Sequence, residues 1–289
     1  MKKRCLAFLL MITLSLSGAL AEETGPEDAE SAKTAGNCEF IFFDGPELSS
    51  VSESVPPTPL SDAEEVQRAV IGKDRRVTVP NPAEWPYSAI AYLEICGSCG
   101  DRWAGTGFLV GPDGVMLTAA RCLRCPEHDV WADSVSAYFG YRGSKNYLYQ
   151  YSDGMKLYID NAFLAGGCGI DKDFAIIRIN PDVSRKFNWF GACWGSSDPE
   201  IADYYVQVAG FDKGKLRYDS GYLDVLDEDH IVFQMDEAGQ NTGGPIFTQD
   251  GFAVGIVISE EKTETGIAVQ NIGYRLTREV WAKIREITE

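Results

Sequence analysis

Two short cysteine pairs, Cys96-Gly-Ser-Cys99 and Cys122-Leu-Arg-Cys125, hold the densest chemistry in this 289-residue chain, with 22 residues between them. Four thiolates at that spacing suit tetrahedral zinc. In an oxidising compartment the same four cysteines form two disulfides in one of three pairings, and a C-x-x-C pair can also cycle as a redox couple. Imidazole is scarce. His128 lies in Cys125-Pro-Glu-His-Asp129 and reads as a loop residue near a carboxylate; His230 follows Asp227-Glu-Asp229 and reads as an exposed start of a strand.

Which cysteine chemistry applies depends on the compartment. Lys2, Lys3 and Arg4, then the apolar Leu6 to Leu16, then Ala19-Leu-Ala21 have the order of a secretory signal peptide over 1–21. The apolar stretch is short for a membrane span, so no membrane insertion is expected once it is removed. Export makes the protein secreted or periplasmic and favours disulfides over zinc, so no cofactor and no metal is expected. Seven cysteines remain after removal, an odd number, so at least one stays outside any intrachain bridge. The whole chain carries a formal charge of −17, and the mature part −20. Such acidity argues against a nucleic-acid partner, which requires a basic surface.

Residues 22–69 hold twelve acids and two bases, half of the mature charge. The segment reads as largely disordered, or as a pro-segment or partner-binding arm, because it has little apolar surface to offset the entropy of ordering. Its exception is Cys38-Glu-Phe-Ile-Phe-Phe43, an apolar patch able to dock on the body.

From Val70 onward, short β-rich runs alternate with turn signals, the texture of an all-β barrel or sandwich. The runs include Tyr87 to Leu93, Thr106 to Val110, Val115 to Thr118, Lys156 to Ile159, Phe174 to Ile179, Tyr205 to Ala209, His230 to Gln234, Pro245 to Phe247 and Ala253 to Ile258. Gly111-Pro-Asp-Gly114 is a turn between two of them. Only Thr277 to Ile287 reads as a helix, with Val280, Ile284 and Ile287 on one face.

Three segments, in chain order, carry a family likeness. Ala104-Gly-Thr-Gly-Phe-Leu-Val-Gly-Pro-Asp-Gly-Val-Met-Leu-Thr-Ala-Ala-Arg-Cys122 resembles the region of the catalytic histidine in trypsin-like serine proteases, where the pattern ends Leu-Thr-Ala-Ala-His-Cys. Asp173-Phe-Ala-Ile-Ile177 resembles the strand of the catalytic aspartate. Gly239-Gln-Asn-Thr-Gly-Gly-Pro-Ile-Phe247 resembles the nucleophile loop, usually Gly-x-Ser-Gly-Gly-Pro. Val70-Ile-Gly-Lys-Asp-Arg-Arg-Val77, Val208-Ala-Gly-Phe-Asp-Lys213 and Asn271-Ile-Gly-Tyr-Arg-Leu-Thr277 are similar to the bacterial glutamyl endopeptidases. The resemblance implies a trypsin-like double antiparallel β-barrel with a C-terminal helix over 70–289, split at roughly 70–180 and 181–289. It also implies cleavage at Ala69-Val70, releasing the acidic segment.

The same resemblance exposes departures. Arg121 stands at the histidine position and Thr242 at the serine position; only Asp173 matches. A guanidinium has no lone pair to receive a proton, so Arg121 cannot act as general base and is expected to pair with Asp173. A threonine hydroxyl still needs such a base. Gln240 replaces the glycine expected two residues before the nucleophile, which disturbs an oxyanion hole formed with Thr242. Val257 replaces the histidine that selects acidic side chains in the specificity pocket. The family often bridges a cysteine at the position of Gly105 to that of Cys122; here Cys96 or Cys99 would have to replace it. Cys168 and Cys193 bracket Asp173 and are candidates for another bridge, which leaves Cys38 single. The expected protein is a catalytically inactive binding or regulatory scaffold for a protein or peptide ligand. The alternative is an active endopeptidase with Thr242 as nucleophile.

Overall fold

The computed structural model describes residues 38–43, 74–144, 146–192, 201, 204–236, 241–262 and 268–289. The signal segment 1–21, most of 22–69, the Ala69-Val70 junction, Cys193 and Gln240 lie outside the described residues.

The chain is mostly β, arranged in two curled sheets that form the trypsin-like double barrel. In chain order the strands of the first sheet are β1 (Cys38–Phe43), β3 (Ile90–Gly97), β4 (Arg102–Val110), β5 (Val115–Thr118), β6 (Ala132–Phe139), β7 (Tyr149–Tyr151), β8 (Met155–Asp160) and β9 (Ala175–Arg178). Those of the second are β2 (Val77–Thr78), β10 (Gly191–Ala192), β11 (Tyr205–Asp212), β12 (Lys215–Val225), β13 (His230–Phe233), β14 (Pro245–Thr248), β15 (Phe252–Lys262) and β16 (Ala268–Arg275). The first sheet runs β1-β8-β9-β5-β4-β3-β6-β7. The second runs β10-β15-β14-β11-β12-β13-β16, and a further β15–β16 pairing closes it into a ring. Closure removes the exposed edges that would otherwise invite aggregation.

Alternation decides which faces turn inward. In β6, Val135, Ala137 and Phe139 are buried between less buried neighbours, the period-two pattern of a strand with one face on a core. Val206, Val208, Ile231, Phe233, Ile246 and Val257 fill part of the second barrel. Between the sheets, Phe190 meets Phe108 at 5.8 Å and Phe247 at 4.8 Å, so the two barrels share packed aromatic surface.

The apolar patch Cys38–Phe43 does not stay in solvent. It forms β1, parallel to β8, with Cys38 opposite Met155 and Phe43 opposite Asp160. The Cys38 thiol hydrogen-bonds the backbone of Val135 in β6, and burial pushes it up to about 12. Phe40 and Phe42 pack on Trp131 at 5.1 and 5.7 Å, and Phe43 faces Phe174 at 6.3 Å. β1 therefore covers the barrel between β8 and β6, and the local apolar run outweighs the acidic composition around it.

The C-terminal helix is α3 (Arg278–Thr288), with Val280, Trp281 and Ile284 buried. Two more helices, α1 (Asn161–Ala165) and α2 (Pro181–Phe187), correct the expectation of a single one. Both are short and start on side-chain caps: Asp160 accepts from the Ala162 N–H and Asn180 from the Asp182 N–H, each at 2.9 Å. A helix of five or seven residues is too short to show a period, so only its cap is visible in sequence.

Candidate active site

Arg121 sits in a single 3-10 turn, Ala120–Leu123, directly after β5. Its backbone N–H donates to Asp173 Oδ1 at 2.9 Å, and its Nε donates to Asp173 Oδ2. A third donor, Nη2, reaches the Gly169 carbonyl at 2.9 Å. Asp173 is fully buried, while the Arg121 side chain is 22% exposed. The sequence expectation of an Arg121–Asp173 pair thus holds in geometry. Both carboxylate oxygens of Asp173 are therefore engaged by Arg121.

Thr242 lies on the loop before β14 and is buried. Its carbonyl accepts from the Thr106 N–H at 3.0 Å and from the Cys122 thiol at 3.2 Å, which ties the loop to both the β4 strand and the turn of Arg121. Its Oγ1 is buried without a hydrogen-bond partner. An activated nucleophile needs its proton within reach of a base, and no such contact exists among the described residues. Gly243 follows at φ +86°; a Cβ there would lie 2.1 Å from Thr118 Oγ1 and 2.2 Å from the Thr106 carbonyl. That loop fits only with glycine at this position. Val257 is fixed to the same loop from below: Gly243 N–H donates to its carbonyl at 2.8 Å, and its own N–H donates to Gly244 O at 2.9 Å. It presents an apolar side chain that belongs to the second barrel's core.

Neither histidine supplies the missing imidazole. His230 corrects the expectation of exposure: it is 2% exposed, with Nδ1 at 2.7 Å from Asp227 Oδ1 and Nε2 at 3.0 Å from the Ile170 carbonyl. Both ring nitrogens are taken, which is how a histidine can be buried beside acids. His128 is in a loop, as expected, with Nδ1 at 2.7 Å from Asp101 Oδ2. Lys172, next to Asp173, is occupied by Asp229 at 2.9 Å and Glu279 at 3.5 Å. Burial works against its charge, but the bond to Asp229 and the surrounding carboxylates hold the ammonium above its usual range.

The cysteines are not arranged by their sequence pairs. Cys99 and Cys125 come together with Asp101 and His128, while the Cys122 thiol turns to Thr242 and Cys96 to the Gly97 carbonyl. Gly105 faces Cys122; a Cβ there would lie 3.0 Å from its sulfur. Cys168 contacts the Arg124 guanidinium. Asp101 escaped the sequence reading, although it lies only two residues past Cys99.

The fold agrees with comparisons to known proteins. Residues 105–256, just over half of the chain, match the trypsin-like peptidase domain. The chain belongs to that family. No curated protein matches it by sequence. Among solved structures, a Glu endopeptidase superposes with a TM-score of 0.64 at 20% identity, covering 76% of this chain and 99% of that one. The protease Anisep from Arthrobacter nicotinovorans gives 0.58 at 14% identity, covering 71% and 97%. A thermostable serine protease, AL20, from an extremophilic microorganism gives 0.56 at 12% identity, covering 70% and 97%. At such identities the likeness is one of fold.

Proposed function

We propose that this trypsin-family protein is exported and does not hydrolyse peptide bonds, acting instead as a scaffold that holds a protein or peptide ligand. The observation that carries the reading is the state of Asp173. Its two oxygens accept from the Arg121 backbone and side chain. Acyl transfer of this type needs an imidazole to take the hydroxyl proton and return it to the leaving amine. An arginine stays protonated throughout the accessible pH range and can do neither. The two histidines of the chain are engaged elsewhere, and the Thr242 hydroxyl touches no acceptor. Loss of the base or the nucleophile alone costs on the order of 10⁶ in turnover in such a unit. Fold and activity are separable, so an intact double barrel is compatible with a binding role.

The export reading rests on the signal-like segment 1–21 and is consistent with the absence, among the described residues, of any helix long and apolar enough to cross a membrane. The purified mature chain should remain unlabelled by a fluorophosphonate serine-hydrolase probe and leave casein and peptide esters intact. Peptide cleavage that disappears in Thr242→Ala would overturn the reading.

A further inference from the structure

Outside the degenerate catalytic site, the first barrel carries a second cluster. Cys99 and Asp101 come from the turn between β3 and β4; Cys125 and His128 come from the loop that follows the Arg121 turn. One ligand atom from each lies within 4.8 Å of all the others. We propose that these four side chains form a structural zinc site, with the ligand set Cys99 Sγ, Asp101 Oδ2, Cys125 Sγ and His128 Nδ1.

The edges of the cluster can be compared with those of a zinc tetrahedron. Bond lengths of about 2.3 Å to sulfur and about 2.0–2.2 Å to nitrogen and oxygen give ligand–ligand edges of roughly 3.4–3.8 Å. Three of the six edges fall in that range: 3.7 Å from Cys99 Sγ to Asp101 Oδ2, 3.6 Å from Cys125 Sγ to Asp101 Oδ2 and 3.8 Å from Cys125 Sγ to His128 Nδ1, and the two from Cys99 to Cys125 and His128 lie within 4.8 Å. The edge from His128 Nδ1 to Asp101 Oδ2 is shorter, 2.7 Å, the length of a hydrogen bond. An ion would take the place of the shared proton and open that edge by roughly 0.7 Å, within the reach of two exposed side chains.

The donor set also argues for zinc. Two thiolates select against magnesium and calcium, and an imidazole with a carboxylate completes four coordination. Four protein ligands leave no open position, which makes the site structural rather than catalytic. A plain Cys99–Cys125 disulfide would leave no role for a carboxylate and an imidazole both in contact with the same sulfur. The loops are built to present these atoms. Gly97 N–H bonds the Asp101 carbonyl at 3.0 Å, and Gly100 takes φ +91° to close the first turn. Cys125 N–H bonds Val130 O at 2.7 Å, and Asp129 takes φ 55° to close the second. Trp103 Nε1 donates to the Cys122 carbonyl at 2.7 Å and pins the Arg121 turn to β4. Zinc would therefore lock the loop that follows the Arg121–Asp173 pair.

The site differs from the four-cysteine set that the C-x-x-C spacing suggests, and the test separates the two. The mature protein, purified without chelator, should contain one zinc per chain by elemental analysis. Its Cys96→Ser/Cys122→Ser variant should keep that zinc, whereas Asp101→Ala and His128→Ala should each weaken binding on the order of 100-fold. Cobalt exchanged into the site should give the intense visible band of a tetrahedral ion with thiolate charge transfer. His128→Cys keeps four ligands and should strengthen the charge-transfer band by adding a third thiolate, a gain that a merely damaged fold cannot produce. A metal-free protein whose non-reducing peptide map shows Cys99 linked to Cys125 would overturn the proposal. So would zinc that departs with Cys96 and Cys122 but survives loss of Asp101 and His128.

Discussion

Replacing Arg121 by alanine should reveal what the guanidinium does. The variant keeps the backbone N–H on Asp173 Oδ1 but removes the Nε donor from Oδ2 and the bond to Gly169. A fully buried carboxylate then loses the Arg121 counter-charge. Breaking a buried ion pair from one side costs about 3–5 kcal/mol. The guanidinium is 22% exposed and the backbone donor to the carboxylate survives, so the lower end applies, about 3 kcal/mol. For a domain of this size each kcal/mol moves Tm by about 2–4 °C, so Arg121→Ala should melt roughly 6–12 °C lower. Differential scanning calorimetry on Arg121→Ala, Asp173→Asn and the double variant forms a thermodynamic cycle. The two losses should overlap, with a coupling of about 2 kcal/mol or more. Arg121→Lys keeps the charge but not the forked donors and should fall in between. A coupling below about 0.5 kcal/mol would mean that the two residues do not act as a unit, and the reasoning would fail.

Other consequences are equally direct. Thr242→Ser alone should leave ester hydrolysis at background, since a better nucleophile still lacks a base; recovered turnover that depends on the new serine would contradict this. Burial pushes the Tyr87 and Tyr92 phenols up from about 10 to about 12. Their folded-state values are raised, so the stability they contribute is complete below about pH 10 and is lost as pH climbs towards 12. A spectrophotometric titration should show late-ionising phenols that become ordinary on unfolding, two fewer in Tyr87→Phe/Tyr92→Phe; an unchanged count would refute the assignment. If the chain is cut at Ala69-Val70, the piece bearing β1 should co-elute with the body on gel filtration, because six residues pair along β8; Phe40→Asp/Phe42→Asp should release it.

Much of the fold was legible because apolar runs and turn residues mark strands locally. Val115–Thr118 is read at its true bounds, and the C-terminal helix begins at Thr277 as its N-cap. β12 was missed for a physical reason. Its sequence is polar because it faces ion pairs: Arg217 meets Asp74 at 3.1 Å and Asp212 at 3.2 Å, and Asp219 meets Arg75 at 3.5 Å. β1 was legible as an apolar patch able to dock, because its six residues stand out from the acidic segment around them, but its parallel partner β8 could not be read from local sequence. At the candidate site, Arg121 and Asp173 were recoverable because the family resemblance located the two positions and the chemistry of a guanidinium then called for a carboxylate partner. The Cys99, Asp101, Cys125 and His128 cluster was not, since its members pair across two loops and the C-x-x-C spacing points to different partners.

In the proposed reading, Arg121 at the position that the resemblance gives to histidine accounts for a buried aspartate beside it. An aspartate left behind after loss of its imidazole would be a buried, uncompensated charge, and removing it would be the stabilising course. Asp173 persists here because Arg121 supplies two hydrogen bonds and a permanent positive charge, so the pair is now structural. That exchange also opposes return to catalysis. Any change that reinstates an imidazole must first give up the bond to Gly169 and the fixed charge, losing stability before it gains a base. The Thr242 loop shows the same order of priorities. Its main chain is held through Thr106, Cys122 and Val257, and Gly243 keeps the conformation it needs, while the hydroxyl itself has no hydrogen-bond partner among the described residues. The interactions that position the loop remain, and those that would activate its side chain are gone. That pattern supports the proposed role of the cleft in binding rather than in bond cleavage.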